Sequence, residues 1–248
     1  MRLQLIDHIL SSISTIHKLP NGLQDDVVSA IHIIHQAFLR FSPSEIVVSF
    51  NGGKDNTVVL FLTLYYCALQ SISNALDKPN SGLGQQNLSL TNTPPPSLRV
   101  VYFETHHSFP EMLQYMSMVA NHFNFSVQKY SGTFHECLTQ VSNDGVKAVI
   151  AGIRRTDPHS ANLSPITASS KGWPEIYRVC PILDWSYADV WTFIDQCDLP
   201  YCPLYKLGYT SLGTPSTTKP NPLLVQADGT FSHARDLERE EHERLGRG

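Results

Sequence analysis

The sequence lacks a dense basic stripe: 18 lysines and arginines stand against 22 acidic residues, leaving a net charge of −4. Nucleic-acid binders ordinarily carry such a stripe, so RNA and DNA are not expected partners. Cys-x-x-Cys pairs are missing too. The cysteines (Cys67, Cys137, Cys180, Cys197 and Cys202) are five, an odd number that suits reduced thiols in a cytoplasmic protein better than a disulfide framework. There is no long apolar run. The longest, Val58–Leu69, is broken by Thr63 and tyrosines and falls short of a bilayer's thickness. The opening MRLQLIDHIL places Asp7 and His8 where a signal peptide needs an unbroken apolar stretch, so the Asn-x-Ser triplets at Asn87, Asn124 and Asn162 carry no expectation of glycosylation.

What is present suits a single domain: 248 residues, 42% of them hydrophobic, can bury a substantial core. Leu3, Ile6, Leu10 and Ile13 recur at helical steps, and Val27, Ile31, Ile34 and Phe38 repeat the pattern after Pro20-Asn21-Gly22, giving N-terminal helices over 1–42. Ile46–Phe50 then reads as a buried parallel strand, with a helix following through Leu69. Residues 71–98, rich in Ser, Asn, Gly, Gln and Pro, read as a mobile surface insertion. Strands over 99–103, 126–130 and 147–151 alternate with helices over 110–123 and 133–143. A last strand over 176–182 and a helix over 186–197 complete an α/β fold with a mainly parallel sheet. From Tyr201 to Asp228 Gly and Pro dominate, and a charged helix is expected from Ser232 to about Leu245.

The chemistry is expected beyond the carboxyl ends of the strands, where open parallel sheets bind ligands. Ser49-Phe50-Asn51-Gly52-Gly53-Lys54-Asp55-Asn56 lies there. Its paired glycines let the main chain approach a ligand closely, and the following helix presents free N–H groups and its positive end, which suits a phosphate. The same residues could also form an ordinary turn. Neither GxxxxGK[ST] nor GxGxxG occurs, so neither a Walker loop nor a dinucleotide fingerprint is indicated. Gly152-Ile153-Arg154-Arg155-Thr156-Asp157-Pro158 follows another strand and could orient phosphates or a metal ion, or be a solvated loop.

The run SFNGGKD resembles the PP-loop of the ATP pyrophosphatase superfamily, in the form held by FAD synthases and PAPS reductases. GIRRTDP is similar to the GxRxTDP motif of FAD synthases, as are Gly172-Trp173-Pro174-Glu175 with Arg178, Tyr201–Gly213 with Thr218–Pro222, and the closing Glu243-Arg244-Leu245-Gly246-Arg247. The nucleophilic cysteine motif of PAPS reductases is not found. The resemblance implies a single Rossmann-like domain whose C-terminal segment, 201–248, joins the active site. It also implies transfer of AMP from ATP to FMN, giving FAD and pyrophosphate, with Mg²⁺ bridging the phosphates. On that reading Gly52, Gly53 and Lys54 hold phosphates with Asn51, and Asp55 and Asp157 hold the metal or its waters. Gly152, Ile153, Arg154 and Arg155 line the site, and Arg244 and Arg247 clamp phosphate from one face of the last helix. Val48, Ser49, Glu104 and Thr105 border the adenine, and Trp173, Pro174, Glu175 and Arg178 the flavin. Asn56 stands where Ser or Cys is commoner, which weakens a side-chain role there. Other adenylyl transfer, a PAPS reductase-like activity and non-catalytic nucleotide binding are the alternatives. Nothing in the sequence demands more than a monomer.

Overall fold

A computed structural model describes residues 15–76, 98–105 and 107–248. The strands are β1 (Ile46–Ser49), β2 (Arg99–Glu104), β3 (Val127–Ser131), β4 (Ala148–Ile150), β5 (Ile166–Ala168) and β6 (Tyr177–Val179). Among the described residues five of these six strands run parallel, in the order β3-β2-β1-β4-β6-β5, with β5 antiparallel at the edge. The helices are α1 (Asn21–Arg40), α2 (Lys54–Leu76), α3 (Pro110–His122), α4 (Phe134–Asn143) and α5 (Tyr187–Gln196). The helical repeat expected at 3–13 lies outside the described residues, as does most of the segment 71–98. Residues 71–76 belong to the end of α2.

Side chains along each strand alternate between two cores, as the pleat requires. Ile46, Val48, Val100, Tyr102, Ala148 and Ile150 face a large cluster built with α1, α2, α3 and α5. Val47, Val101, Tyr130 and Val149 face the other side, covered by Cys137, Leu138 and Val141 of α4. α1 presents Leu23, Val27, Ala30, Ile34 and Ala37 to the first core, at steps of three and four. Each of α4 and α5 begins with a capping box, Thr133 with Glu136 and Ser186 with Asp189. The stretch Lys54–Ser73 is long and apolar enough to cross a membrane, but 56% of its most apolar window is buried inside the fold. Its hydrophobicity belongs to the core.

The edge strand β5 was not legible beforehand, because three half-exposed residues carry no periodicity. The expected terminal helix is absent. Ser232–Leu245 instead contains two short 3-10 turns, Ala234–Asp236 and Glu240–His242. The reason is where its backbone groups bond. The Lys219 N–H donates to the Gly246 carbonyl, Thr218 and Arg247 form an antiparallel bridge, and the Thr210 hydroxyl donates to the Glu243 carbonyl. Tertiary partners replace the i−4 ladder, so Arg244 and Arg247 do not share a helical face.

Candidate active site

The chain winds from β1 outward to β3 and then returns past β1 to β4, so the direction of winding reverses between β1 and β4. A crevice opens beyond the strand ends at such a point. Two loops meet there: 50–53 after β1 and 151–158 after β4.

The first loop is a tight turn into α2. Gly52 has φ +77, and a Cβ on it would press on Met116 and the Met112 carbonyl, so glycine is needed for both conformation and space. Asn51 Oδ1 accepts the Gly53 N–H at 2.9 Å and the Asn56 side-chain amide at 2.9 Å. Asn56 Oδ1 in turn accepts the Gly152 N–H at 2.9 Å, joining the two loops through carboxamides. The weakened role expected for Asn56 is therefore corrected: its side chain is the link. Gly152 leaves no alternative, since a Cβ there would meet the Asp55 carbonyl oxygen at 2.6 Å.

Beneath the turn lies a closed ring of alternating charges. Asp55 reaches Lys54 Nζ at 2.9 Å and Arg154 Nε at 2.7 Å, one oxygen to each. Glu243 does the same from the other side, to Lys54 Nζ at 2.5 Å and to Arg154 Nη2. Lys54 and Arg154 are both about 1% exposed. Burial opposes the charge on each cation, but the carboxylates outweigh it and raise both pKa values. Burial likewise opposes the Asp55 charge, and Lys54 and Arg154 reverse that, holding its carboxyl below the usual range. Removing one partner of such a pair leaves an uncompensated buried charge, at a cost of about 3–5 kcal/mol. Tyr205 completes the floor: its hydroxyl accepts the Lys54 backbone N–H at 2.8 Å. Tyr187 presents its ring to Lys54 Nζ at 4.8 Å.

The remaining charges are distributed differently. Asp157 accepts the Arg154 backbone N–H at 2.9 Å, and burial raises its pKa, with Asp55 adding to the rise. Arg155 turns away from the ring, to Asp184 at 2.5 Å and to the carbonyls of Ala161 and Leu163. Arg244 is exposed and forms no ion pair among the described residues. Arg247 is fixed by the Ser211 hydroxyl and the Leu212 carbonyl, at 3.2 and 2.8 Å, again without a carboxylate partner among the described residues. Burial lowers its pKa, and the nearby Arg244 charge lowers it further.

Of the residues singled out for adenine, Ser49, Glu104 and Thr105 lie at the ends of the adjacent strands β1 and β2. Val48 is fully buried, with its side chain in the first core. Glu104 pairs with Lys129 at 2.6 Å and with Ser131 at 3.0 Å. Ile153 is half-buried in the second loop. Trp173 is 42% exposed and packs on His135 and Phe134 in the first turn of α4, next to Pro174. Glu175 faces elsewhere, lining a cavity of about 300 Å³ with Phe41, Lys147 and Tyr177, before the amino ends of β4 and β6. Arg178, on β6, has a buried Nε with no hydrogen-bond partner among the described residues. Trp185 is a core residue.

Glu243, Tyr205 and Asn221 lie in stretches whose family resemblance the sequence showed without giving them a role, and Tyr187 lies in none; all four carry structural weight at this site. Asn221, fully buried, donates to Thr210 Oγ1 at 3.0 Å and to the His242 carbonyl at 2.9 Å. Its prior signal was its place between two prolines in the family-like stretch Thr218–Pro222.

The chain matches the phosphoadenosine phosphosulfate reductase domain over residues 45–142 and 133–220. It is 34% identical to a probable FAD synthase of Schizosaccharomyces pombe, over 98% of this chain and 88% of that protein. It is 30% identical to the flavin adenine dinucleotide synthase of Saccharomyces cerevisiae, over 78% of this chain and 64% of that protein. A crystal structure of Candida glabrata FMN adenylyltransferase, in complex with FAD and inorganic pyrophosphate, superposes with a TM-score of 0.83 at 23% identity, covering 98% of each chain. At that identity the likeness establishes the fold, while the fission-yeast relative establishes the branch. With its glycine turn after β1 and its arginines in the C-terminal segment, this chain belongs to the phosphoadenosine phosphosulfate reductase domain family, among the FAD synthases.

Proposed function

We propose that the protein is an FMN adenylyltransferase, taking ATP and FMN to FAD and pyrophosphate. The observation that carries this reading is the pairing of a ligand-ready turn, Asn51–Lys54, with two arginines that have no acidic partner, Arg244 and Arg247. Cations without acidic partners among the described residues, together with the positive end of α2, suit a triphosphate.

ATP lays its β- and γ-phosphates on the Asn51–Asp55 backbone, with the Asn51 side-chain amide turned toward an oxygen. The adenine lies beyond β1 and β2, near Ser49 and Thr105. A phosphate oxygen of FMN attacks the α-phosphorus in line. The new bond joins that oxygen to the α-phosphorus, and the bond to the β-phosphate oxygen breaks, releasing pyrophosphate. The FMN phosphate is already anionic, so no general base is needed, and the barrier falls through positioning and charge neutralisation. The flavin enters on the Trp173–Pro174 side, with Arg178 offering its unpartnered N–H.

Magnesium enters as part of the substrate, MgATP. Among the described residues no three His, Cys, Asp or Glu side chains are grouped to build a protein cage for it. Magnesium commonly uses phosphate oxygens, waters and one carboxylate, and Asp157 is the acid not consumed by the ring.

A reductase mechanism is disfavoured by the thiols. All five cysteines are free and buried, and burial pushes Cys67 up to about 12 and Cys180 and Cys202 up to about 11. A nucleophilic thiol needs access and a low pKa. Free thiols also support a cytoplasmic location. The test is incubation of the purified protein with MgATP and FMN, followed by chromatography for FAD and assay of pyrophosphate. FAD in step with pyrophosphate is the expected result. Nucleotide binding without either product would replace the enzyme reading with a binder. Asp157→Ala should fold normally and lose about 10²–10³ in turnover.

A further inference from the structure

We infer that Glu243 is a positioning residue for this reaction: it latches the C-terminal segment onto the PP-loop, and through that latch sets where Arg244 and Arg247 stand. The inference rests on the adenylyl-transfer reading above and adds to it a residue with no contact to substrate.

Three segments far apart in the chain supply the charge ring: the first turn of α2, the loop after β4, and the C-terminal segment. From the last of these Glu243 bonds both cations, while Glu240 reaches Arg154 Nη1 alone, at 3.6 Å. It lies 189 positions from Lys54 and 89 from Arg154, and both contacts are buried. Its own backbone is held as well, since the Thr210 hydroxyl donates to its carbonyl at 2.6 Å. Three residues earlier, Glu240 accepts the Tyr187 N–H at the start of α5, at 3.0 Å. The segment is thus fixed by acidic side chains on one side and leaves its arginines, one and four residues on, without acidic partners.

The ring also explains why two of the expected phosphate ligands are not free to act as such. Lys54 meets two carboxylates and Arg154 three, Glu240 being the third, so their charges are compensated within the protein. Arg154 Nη1 has no hydrogen-bond partner among the described residues, with Glu240 3.6 Å away. Glu243 therefore helps compensate the cations at the base of the site and leaves its rim cationic. A displacement of about 1 Å in a phosphate-clamping group can cost on the order of 10²-fold in rate.

The experiment compares the full chain with Glu243→Gln, which keeps size and loses charge, and Glu243→Asp, which keeps charge and loses reach. Steady-state FAD synthesis and backbone amide exchange of residues 240–248 are measured on each. Glu243→Gln should lose about 10²-fold in kcat/KM for ATP while exchange at 240–248 quickens at least about tenfold more than that of β1, which reports the global cost of the lost ion pairs. Glu243→Asp should recover part of both. Parent exchange in Glu243→Gln, or parent kcat/KM with a loosened segment, would overturn the inference. Should Glu243→Gln fail to fold, Thr210→Val carries the same two readouts, with a loss of about fivefold expected and parent values overturning. If the parent makes no FAD, the function reading falls, while the exchange comparison still decides whether Glu243 is the latch.

Discussion

The guanidinium of Arg247 lies directly over Gly213, so that any Cβ at that position would fall inside 3.0 Å of it. The loop Ser211-Leu212-Gly213 thus forms a seat: hydroxyl and carbonyl take one guanidinium nitrogen, and the missing side chain makes room for the plane.

Gly213→Ala should therefore act like Arg247→Ala. Each is expected to lower turnover by about 10²-fold, and the melting temperature should stay within a few degrees of the parent, because an arginine end can swing aside at small cost. Steady-state kinetics beside a thermal melt checks this. A Gly213→Ala enzyme with parent turnover would show that the seat is irrelevant.

The carboxamide link between the loops is open to a stability measurement. Asn56→Ala leaves the half-buried Gly152 N–H without its acceptor and removes one of the two donors to Asn51 Oδ1. Urea unfolding should report a loss of about 1–3 kcal/mol, accompanied by lower turnover. Asn56→Ser, with a hydroxyl too short to reach both partners, should lie between the parent and the alanine variant.

Tyr205→Phe isolates one hydrogen bond, from the Lys54 N–H to a fully buried hydroxyl. The ring is retained, so the edge contact with Trp191 at 5.2 Å survives. An unsatisfied buried N–H costs about 1–3 kcal/mol, and denaturant unfolding should recover a value in that range. A neutral result would mean that the Lys54 N–H finds another acceptor.

His233 gives the fold a pH dependence. Its pKa is lowered to about 4, first by burial and then by the Arg235 charge beside it. Lys206 lowers it further, while Asp236 opposes. Nδ1 accepts the Arg235 N–H at 3.0 Å, and Nε2 lies 3.2 Å from the Tyr201 hydroxyl. The unfolded chain takes up a proton near 6.5 that the folded protein refuses until about 4. Stability should thus be fully present above 6.5 and decline as pH falls between those values. Melting temperatures across that window should fall for the parent and fall less steeply for His233→Gln. Equal slopes would remove His233 as the cause.

Much of this was readable in advance because it is local. The strand β1 announced itself as an apolar β-branched run, and α1 through its three-and-four spacing. Gly52 and Gly53 marked the turn, and Gly52 occupies it at φ +77 against Met116, where a side chain would be strained. Arg154, Arg155 and Asp157 were identified together as one loop of the site, but which of the two adjacent arginines turns inward was not, since they differ only in their distant partners. The terminal helix was misjudged for the same reason: charged residues at helical spacing look helical until their backbone groups find other acceptors.

By itself, then, the sequence determined the alternation of strands and helices, the site of the phosphate-ready turn and the family to which the motifs belong, because periodicity and turn chemistry act over a few residues. The tertiary structure alone decided that Glu243 closes a charge ring with Lys54 and Arg154, that Asn56 joins two loops, and that Gly213 seats Arg247. Those relations depend on segments up to 189 positions apart being brought within hydrogen-bond reach by the winding of the sheet, and no local pattern encodes that distance.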